Sequence, residues 1–161
     1  MRRSGSIISF IALIAACTTI STPPPPAELP ALSLEALRGQ SVQITVLDQR
    51  AGERDSGWEE RVRSDLTRVL TTAGVTVATD AQTHFEVRIL QARSDAGRHV
   101  WNGCVELSGR IAGATSADAS GAACVTRGTG TARDVLHLAY EDAMFRMLST
   151  LDTKLGTVPR K

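Results

Sequence analysis

Two stripes of apolar side chains at helical spacing frame this chain, and they set what can lie between them. From Trp58 the apolar positions Val62, Leu66, Val69, Leu70 and Ala73 recur every three or four residues, the pattern of a helix with one buried face. Near the C-terminus Leu136, Tyr140, Ala143, Met147 and Leu151 repeat it, widened by Met144 and Leu148. A helix with a single apolar stripe must bury it against a second layer of structure. The remaining sequence offers strands for that layer.

Val42, Ile44 and Val46 alternate with Gln43 and Thr45 over residues 41–47, the period of a half-buried strand. A polar loop follows Asp48, Gln49 and Arg50. Ser56 and Glu59 then form a capping box at the start of the first helix, the hydroxyl taking an orphan N–H and the carboxylate reaching back. Glu59 with Arg63, and Arg61 with Asp65, are spaced as ion pairs on its wet side, and Gly74 is placed to cap its end. Val75 and Val77 open a second extended stretch, which pauses at residues 80–83 and resumes with Phe85, Val87 and Ile89 alternating against Glu86 and Arg88. After a turn at residues 94–98, Trp101, Val105, Leu107 and Ile111 mark a third strand, and residues 122–129 a fourth. Thr131, with Asp134 three residues on, caps the closing helix.

The expected fold is α+β, in the order β-α-β-β-β-α. It is a small, four-stranded, mostly antiparallel sheet with both amphipathic helices on one face. A right-handed first crossover sets the first two strands parallel and leaves the last three as an antiparallel meander.

The N-terminus gives an address. Arg2 and Arg3 supply positive charge, and residues 7–16 are an apolar run of signal-peptide length. A spanning helix needs ~20 apolar residues, so this run is too short to stay in a bilayer. Ile14, Ala15, Ala16 and Cys17 then resemble the bacterial lipobox, in which the cysteine is lipidated and becomes the new N-terminus. The alternatives are a free thiol after ordinary cleavage, which Ile14 fits poorly, and a disulfide partner. Thr18 is not the Asp that retains such proteins at the inner membrane in enterobacteria-like systems. The expected site is the periplasmic face of the outer membrane.

The divisions follow: residues 1–16 as signal peptide, 17–40 as lipidated N-terminus and Pro-rich linker, 41–155 as one domain, 156–161 as a flexible tail. Pro23, Pro24, Pro25, Pro26 and Pro30 predict extended polyproline II that spaces the domain from the membrane rather than packing on it. A Pro-rich recognition ligand is the alternative, and flanking basic residues are missing.

Charge and aromatic content argue against nucleic acid. The eighteen Lys and Arg, less the two in the leader, leave sixteen against seventeen Asp and Glu, so no basic stripe forms. Trp58, Phe85, Trp101, Tyr140 and Phe145 are too few for a stacking platform. Common catalytic signatures are also missing. The histidines His84, His99 and His137 fall on a strand, a turn and a helix, with no His-Glu-x-x-His, Gly-x-Ser-x-Gly or Ser-x-x-Lys pattern. His137 and Glu141 are spaced to share a metal, but two ligands do not make a site and a surface contact is the ordinary reading. Gly128, Thr129 and Gly130 suggest a phosphate loop, yet lack its third glycine and lysine. They are read as a strand end feeding a helix cap. No cofactor, metal or small-molecule substrate is implied.

Cys104 and Cys124 are an even twenty residues apart, so in an unbulged hairpin both point to the face away from the helices. A hairpin turning near Ala114 sets them opposite each other, and one centred near Ala117 leaves them out of step. A disulfide suits the periplasm, with two buried thiols as the alternative.

The element order behind a lipobox resembles small Gram-negative outer-membrane lipoproteins, the YajG-like family among them. As in that family, the first strand ends in an acidic-x-Arg run (Asp48, Gln49, Arg50), a helix closing on a Gly turn follows, and a helix rich in small residues ends the domain. The LptE family of lipopolysaccharide-assembly lipoproteins shares the order, but enters its domain almost directly from the lipidated cysteine. The YajG-like resemblance implies no catalytic activity. The expectation is therefore a non-enzymatic accessory or assembly protein of the envelope, anchored by lipid and binding a protein partner. Its surface would be the open sheet face carrying Gln43, Thr45, Glu86, Arg88, Glu106 and Arg110. A periplasmic enzyme with an unrecognised site, or an LptE-like assembly component, are the competing expectations.

Overall fold

The computed structural model describes residues 22–51 and 57–156. Its elements are β1 (Ser41–Asp48), α1 (Gly57–Thr72), β2 (Thr76–Val77), β3 (Thr83–Ala96), β4 (Trp101–Ala112), β5 (Ala117–Arg127) and α2 (Ala132–Gly156). They form one sheet in the order β2-β1-β3-β4-β5. β1 runs parallel to β2 and β3, while β3, β4 and β5 form the antiparallel meander. The α+β order stands as expected. A fifth strand is added because the Val77 stretch, two residues long, pairs with β1 before the chain turns into β3.

Both helices cover the same sheet face. α1 packs on β1 and β2, and α2 on β4, β5 and part of β3. The apolar stripes named from the sequence are the buried ones: Trp58, Val62, Leu66, Val69 and Leu70 on α1, with Leu136, Tyr140, Ala143, Met144, Met147, Leu148 and Leu151 on α2. Gly74 ends α1 at φ +80°, with the Val75 N–H donating to the Leu70 carbonyl at 2.9 Å. The Thr131 cap is reciprocal. Asp134 N–H donates to Thr131 Oγ1 at 3.3 Å, and Thr131 N–H donates to Asp134 Oδ2 at 2.7 Å. The Thr131 hydroxyl, which donates to Asp134 Oδ2 at 2.9 Å, and then the Thr131 N–H hold the Asp134 carboxyl below its usual range.

At Gly121 a Cβ would stand 1.9 Å from the Ala143 carbonyl oxygen, and at Gly103 2.6 Å from the Val135 carbonyl carbon. The backbone of α2 therefore lies directly on the sheet at both points. Gly128, Thr129 and Gly130 lead from β5 into the Thr131 cap, as the plainer reading of them holds.

Three local points follow from the structure. The first concerns the capping box, which falls on Ser56, outside the described residues; Glu59 Oε1 accepts from Asp48 N–H at 2.9 Å, tying α1 to the end of β1. Beside that contact the buried Arg50 donates to both oxygens of the buried Asp48 and lies 5.3 Å over the Trp58 ring.

The second concerns Asp65, which is not on the wet side of α1. It is buried and accepts from Tyr140 Oη at 2.9 Å, from Ala27 N–H at 3.2 Å and from Arg68 at 2.9 Å. Apolar spacing cannot see such a site, because a carboxylate enters a core only when tertiary donors meet it. The third concerns β3, which runs on to Ala96 rather than turning from residue 94. A bulge at Leu90 absorbs one residue, so Ile89 points inward and then Ala92 and Ser94 do. The broken alternation looks like a strand end in the sequence.

The Pro-rich segment is the largest correction. Within its described residues it does not stand off the domain: Pro24, Ala27, Leu34 and Leu37 are buried, and Leu29 and Leu32 pack against the core. Ala27 is clasped from both sides, its N–H to Asp65 and its carbonyl to Arg68, while Glu28 N–H donates to Glu141 at 2.6 Å. Ser33 Oγ donates to Asp152 at 3.0 Å. Extended backbone makes no internal hydrogen bonds, so side chains of the two helices supply the partners. The leucines that follow the prolines provide the apolar surface to bury.

Candidate functional site

Among the described residues, the sheet face away from the helices is open. Alternation in β1, β3, β4 and β5 sends one set of side chains into the core and the other set onto this face. Gln43, Thr45, Glu86, Arg88, Glu106 and Arg110 all take outward positions, as expected. Pairing places Thr45, Glu86, Arg110 and Asp118 in one row across four strands, and Arg88 beside Ser108 in the next. Arg88 Nε donates to Glu86 Oε1 at 2.7 Å. Glu86, Arg88, Ser108, Arg110 and Asp118, with Ser116 and Ala117, line a shallow groove of about 350 Å³. Past the bulge, Arg93 and Asp95 join the face 3.9 Å apart. They were not assigned to it from the sequence because the unbulged alternation ends before them. Asp118 shares even spacing with Cys124, a signal that was present in the sequence and not used.

Cys104 and Cys124 stand directly opposite each other on this face, with Cα atoms 4.1 Å apart, and form a disulfide. Of the two registers left open by the sequence, the hairpin turning about Ala114 is the one found. The bridge crosslinks β4 to β5 where no helix helps, since its side chains lie on the uncovered side.

The three histidines are placed on different elements. His84 is exposed on β3 and His99 in the β3–β4 turn, while His137 is on α2 behind the sheet with Nε2 3.4 Å from Glu141 Oε1. Glu141 also accepts from the Glu28 backbone, so its carboxylate serves the packing of the Pro-rich segment. Among the described residues no group of three or more His, Cys, Asp or Glu is placed to hold a metal ion. None of their helices is long and apolar enough to cross a membrane. Cys17, the expected lipidation site, lies outside the described residues.

What fold and face define is a small α+β domain with one face committed to packing and one polar face left free. No family model matches the chain, and no curated protein matches it. Solved structures do. Protein XCC0632 from Xanthomonas campestris, of family DUF330, is 11% identical with a TM-score of 0.54, over 88% of this chain and 96% of that one. Lipoprotein GNA1162 from Neisseria meningitidis is 8% identical with a TM-score of 0.49, over 74% and 99%. A minor lipoprotein from Acinetobacter baumannii is 10% identical with a TM-score of 0.44, over 71% and 94%. At 11% identity the Xanthomonas likeness establishes a shared fold.

Proposed function

We propose that this chain is a non-enzymatic envelope lipoprotein, held by lipid on Cys17 at the periplasmic face of the outer membrane, whose open sheet face binds a protein partner. The open face carries the reading. Residues of both charge signs alternate across four strands there, as in surfaces whose complementarity selects a partner. The leader and the YajG-like element order support the anchor. The histidines, scattered over both sides of the sheet, favour binding over catalysis.

Labelled palmitate tests the anchor. Wild type should incorporate it and fractionate with membranes, since two or more acyl chains hold stably where one does not. Cys17→Ser should do neither. A wild-type protein that takes up no label overturns the anchor. Replacing His84, His99 and His137 together with Gln should leave a deletion phenotype fully complemented, and loss of complementation with fold and anchoring intact would move the reading to an enzyme.

A further inference from the structure

The docked Pro-rich segment fixes the end of the domain from which the N-terminus leaves. Ser33 donates to Asp152, and Glu28 N–H donates to Glu141. Five steps along the segment thus match eleven along α2, ~16 Å in either case. The segment runs alongside α2, and toward its own start it heads for the start of that helix. Pro24 is buried, and Thr22 is the first described residue. From Cys17 to Thr22 the chain takes five steps, which at ~3.5 Å each reach at most ~18 Å.

The start of α2 shares its end of the domain with the β3–β4 turn and the end of β5. Arg127 pairs with Trp101, the first residue of β4, and a Cβ on Gly128 would stand 3.7 Å from the His99 carbonyl oxygen. Arg98, His99, Arg127 and Arg133 are all exposed here, and Val100 is 37% exposed in the turn. None of the three arginines is in an ion pair among the described residues, whereas Arg88, Arg93 and Arg146 are. Of the described acids at this end, Asp95 faces Arg93 at 3.9 Å. Asp134, near enough to Arg127 to feel its charge, is engaged in the Thr131 cap. Glu59 and Glu60 lie farther back. The Asp48 that Glu59 meets pairs with Ile89, seven residues before β3 ends, or ~23 Å along the strand.

We propose that this end is a lipid-facing surface, on which Arg98, Arg127 and Arg133 meet the phosphates of an anionic bilayer and Val100 enters the headgroup layer. The proposal rests on the lipid-anchor reading. With the acyl chains in the bilayer and the segment docked, a tether of ~18 Å or less brings this end nearest the membrane. Each arginine beside an anionic surface adds to the attraction. That attraction fades over ~10 Å at ordinary salt, so only an end held this near gains from it. Standing on this end, the domain presents its open sheet face sideways along the membrane, clear for a protein partner.

Trp101, half-buried beside Val100, reports the contact, and the wholly buried Trp58 supplies a constant background. The test places lipidated protein in phosphatidylcholine vesicles, with or without phosphatidylglycerol, that carry a spin-label quencher on a lipid headgroup. Quenching of Trp101 should rise about threefold or more when phosphatidylglycerol is present. Arg98→Glu with Arg127→Glu and Arg133→Glu should return it to the level of the uncharged vesicles, with melting temperature unchanged. Raising salt should lower the wild-type signal in the same way. Quenching that ignores phosphatidylglycerol or salt, or that survives the three reversals, overturns the proposal. Flotation of the vesicles reads the anchor separately. A chain that does not float overturns the anchor reading and this proposal with it, whereas a floated chain with unquenched Trp101 overturns this proposal alone.

Discussion

The covered and open faces of the sheet are built from the same strands under opposite demands. On the covered face α2 rests so closely on β5 that Gly121 admits no Cβ, and Val87, Ile89, Leu107 and Ile111 are almost wholly buried. One residue along, on the open face, Ala122 is exposed and touches no helix. Shape constrains the first face atom by atom, and charge pattern alone distinguishes the second. Packing stability therefore resides on one side of the sheet, and the recognition proposed above would reside on the other.

The sharpest way to break that contrast is to substitute neighbours. Gly121→Val must push α2 off the sheet, and overpacking of this kind costs up to about 3 kcal/mol or more. Ala122→Ser should stay within about 0.5 kcal/mol. Urea unfolding of both variants measures the difference, and equal stabilities would dissolve the distinction between the faces.

Asp65 should follow in size. Asp65→Ala strips Tyr140, Ala27 N–H and Arg68 of a shared acceptor, a loss of about 3 kcal/mol for a buried hydrogen-bonded charge. It should also free the Pro-rich segment, detectable as faster proteolysis after Pro26. Its partner gives a pH signature. Burial, with the Asp65 carboxylate second, holds the Tyr140 phenol well above its usual range. The folded state thus keeps a proton that the unfolded chain gives up near pH ~10. Tyr140's contribution is full below that pH and is lost as pH rises beyond it, at up to about 1.4 kcal/mol per pH unit. Tyr140→Phe should flatten this alkaline slope, and an unchanged slope would contradict the buried site.

The disulfide sharpens the contrast from the open side, where stiffness comes from a covalent bond instead of packing. Closing a loop of twenty residues contributes about 3 kcal/mol in the chain-entropy account. Cys104→Ala with Cys124→Ala should lower the melting temperature, and a reducing agent should lower that of wild type alone. Two alkylatable thiols in unreduced protein would deny the bridge. Smallest is the cap: Thr131→Ala should cost about 1 kcal/mol in urea unfolding, with no effect on the open face.

How much of this was legible follows the same division. Periodicity revealed the covered face, since Val62, Leu66, Tyr140 and Met147 repeat as their helix does, and strand alternation revealed six open-face residues. What stayed hidden depends on contacts distant in sequence. Asp65 is buried because Ala27 and Tyr140 come to it from 38 and 75 residues away. Proline content marked the segment before β1 as a spacer, while its leucines were the side chains that decided its place. Arg93 and Asp95 were missed because a one-residue bulge at Leu90 resets the alternation.

The central claim, that the open face recognises a partner independently of the packing behind it, is tested most directly by charge reversal there. Arg88→Glu with Arg110→Glu changes two exposed side chains of the groove. In full-length protein in cells, this pair should leave melting temperature and membrane fractionation unchanged, yet abolish complementation of a deletion and crosslinking from the face to its envelope partner. Full complementation, with crosslinking at the wild-type level, would contradict it.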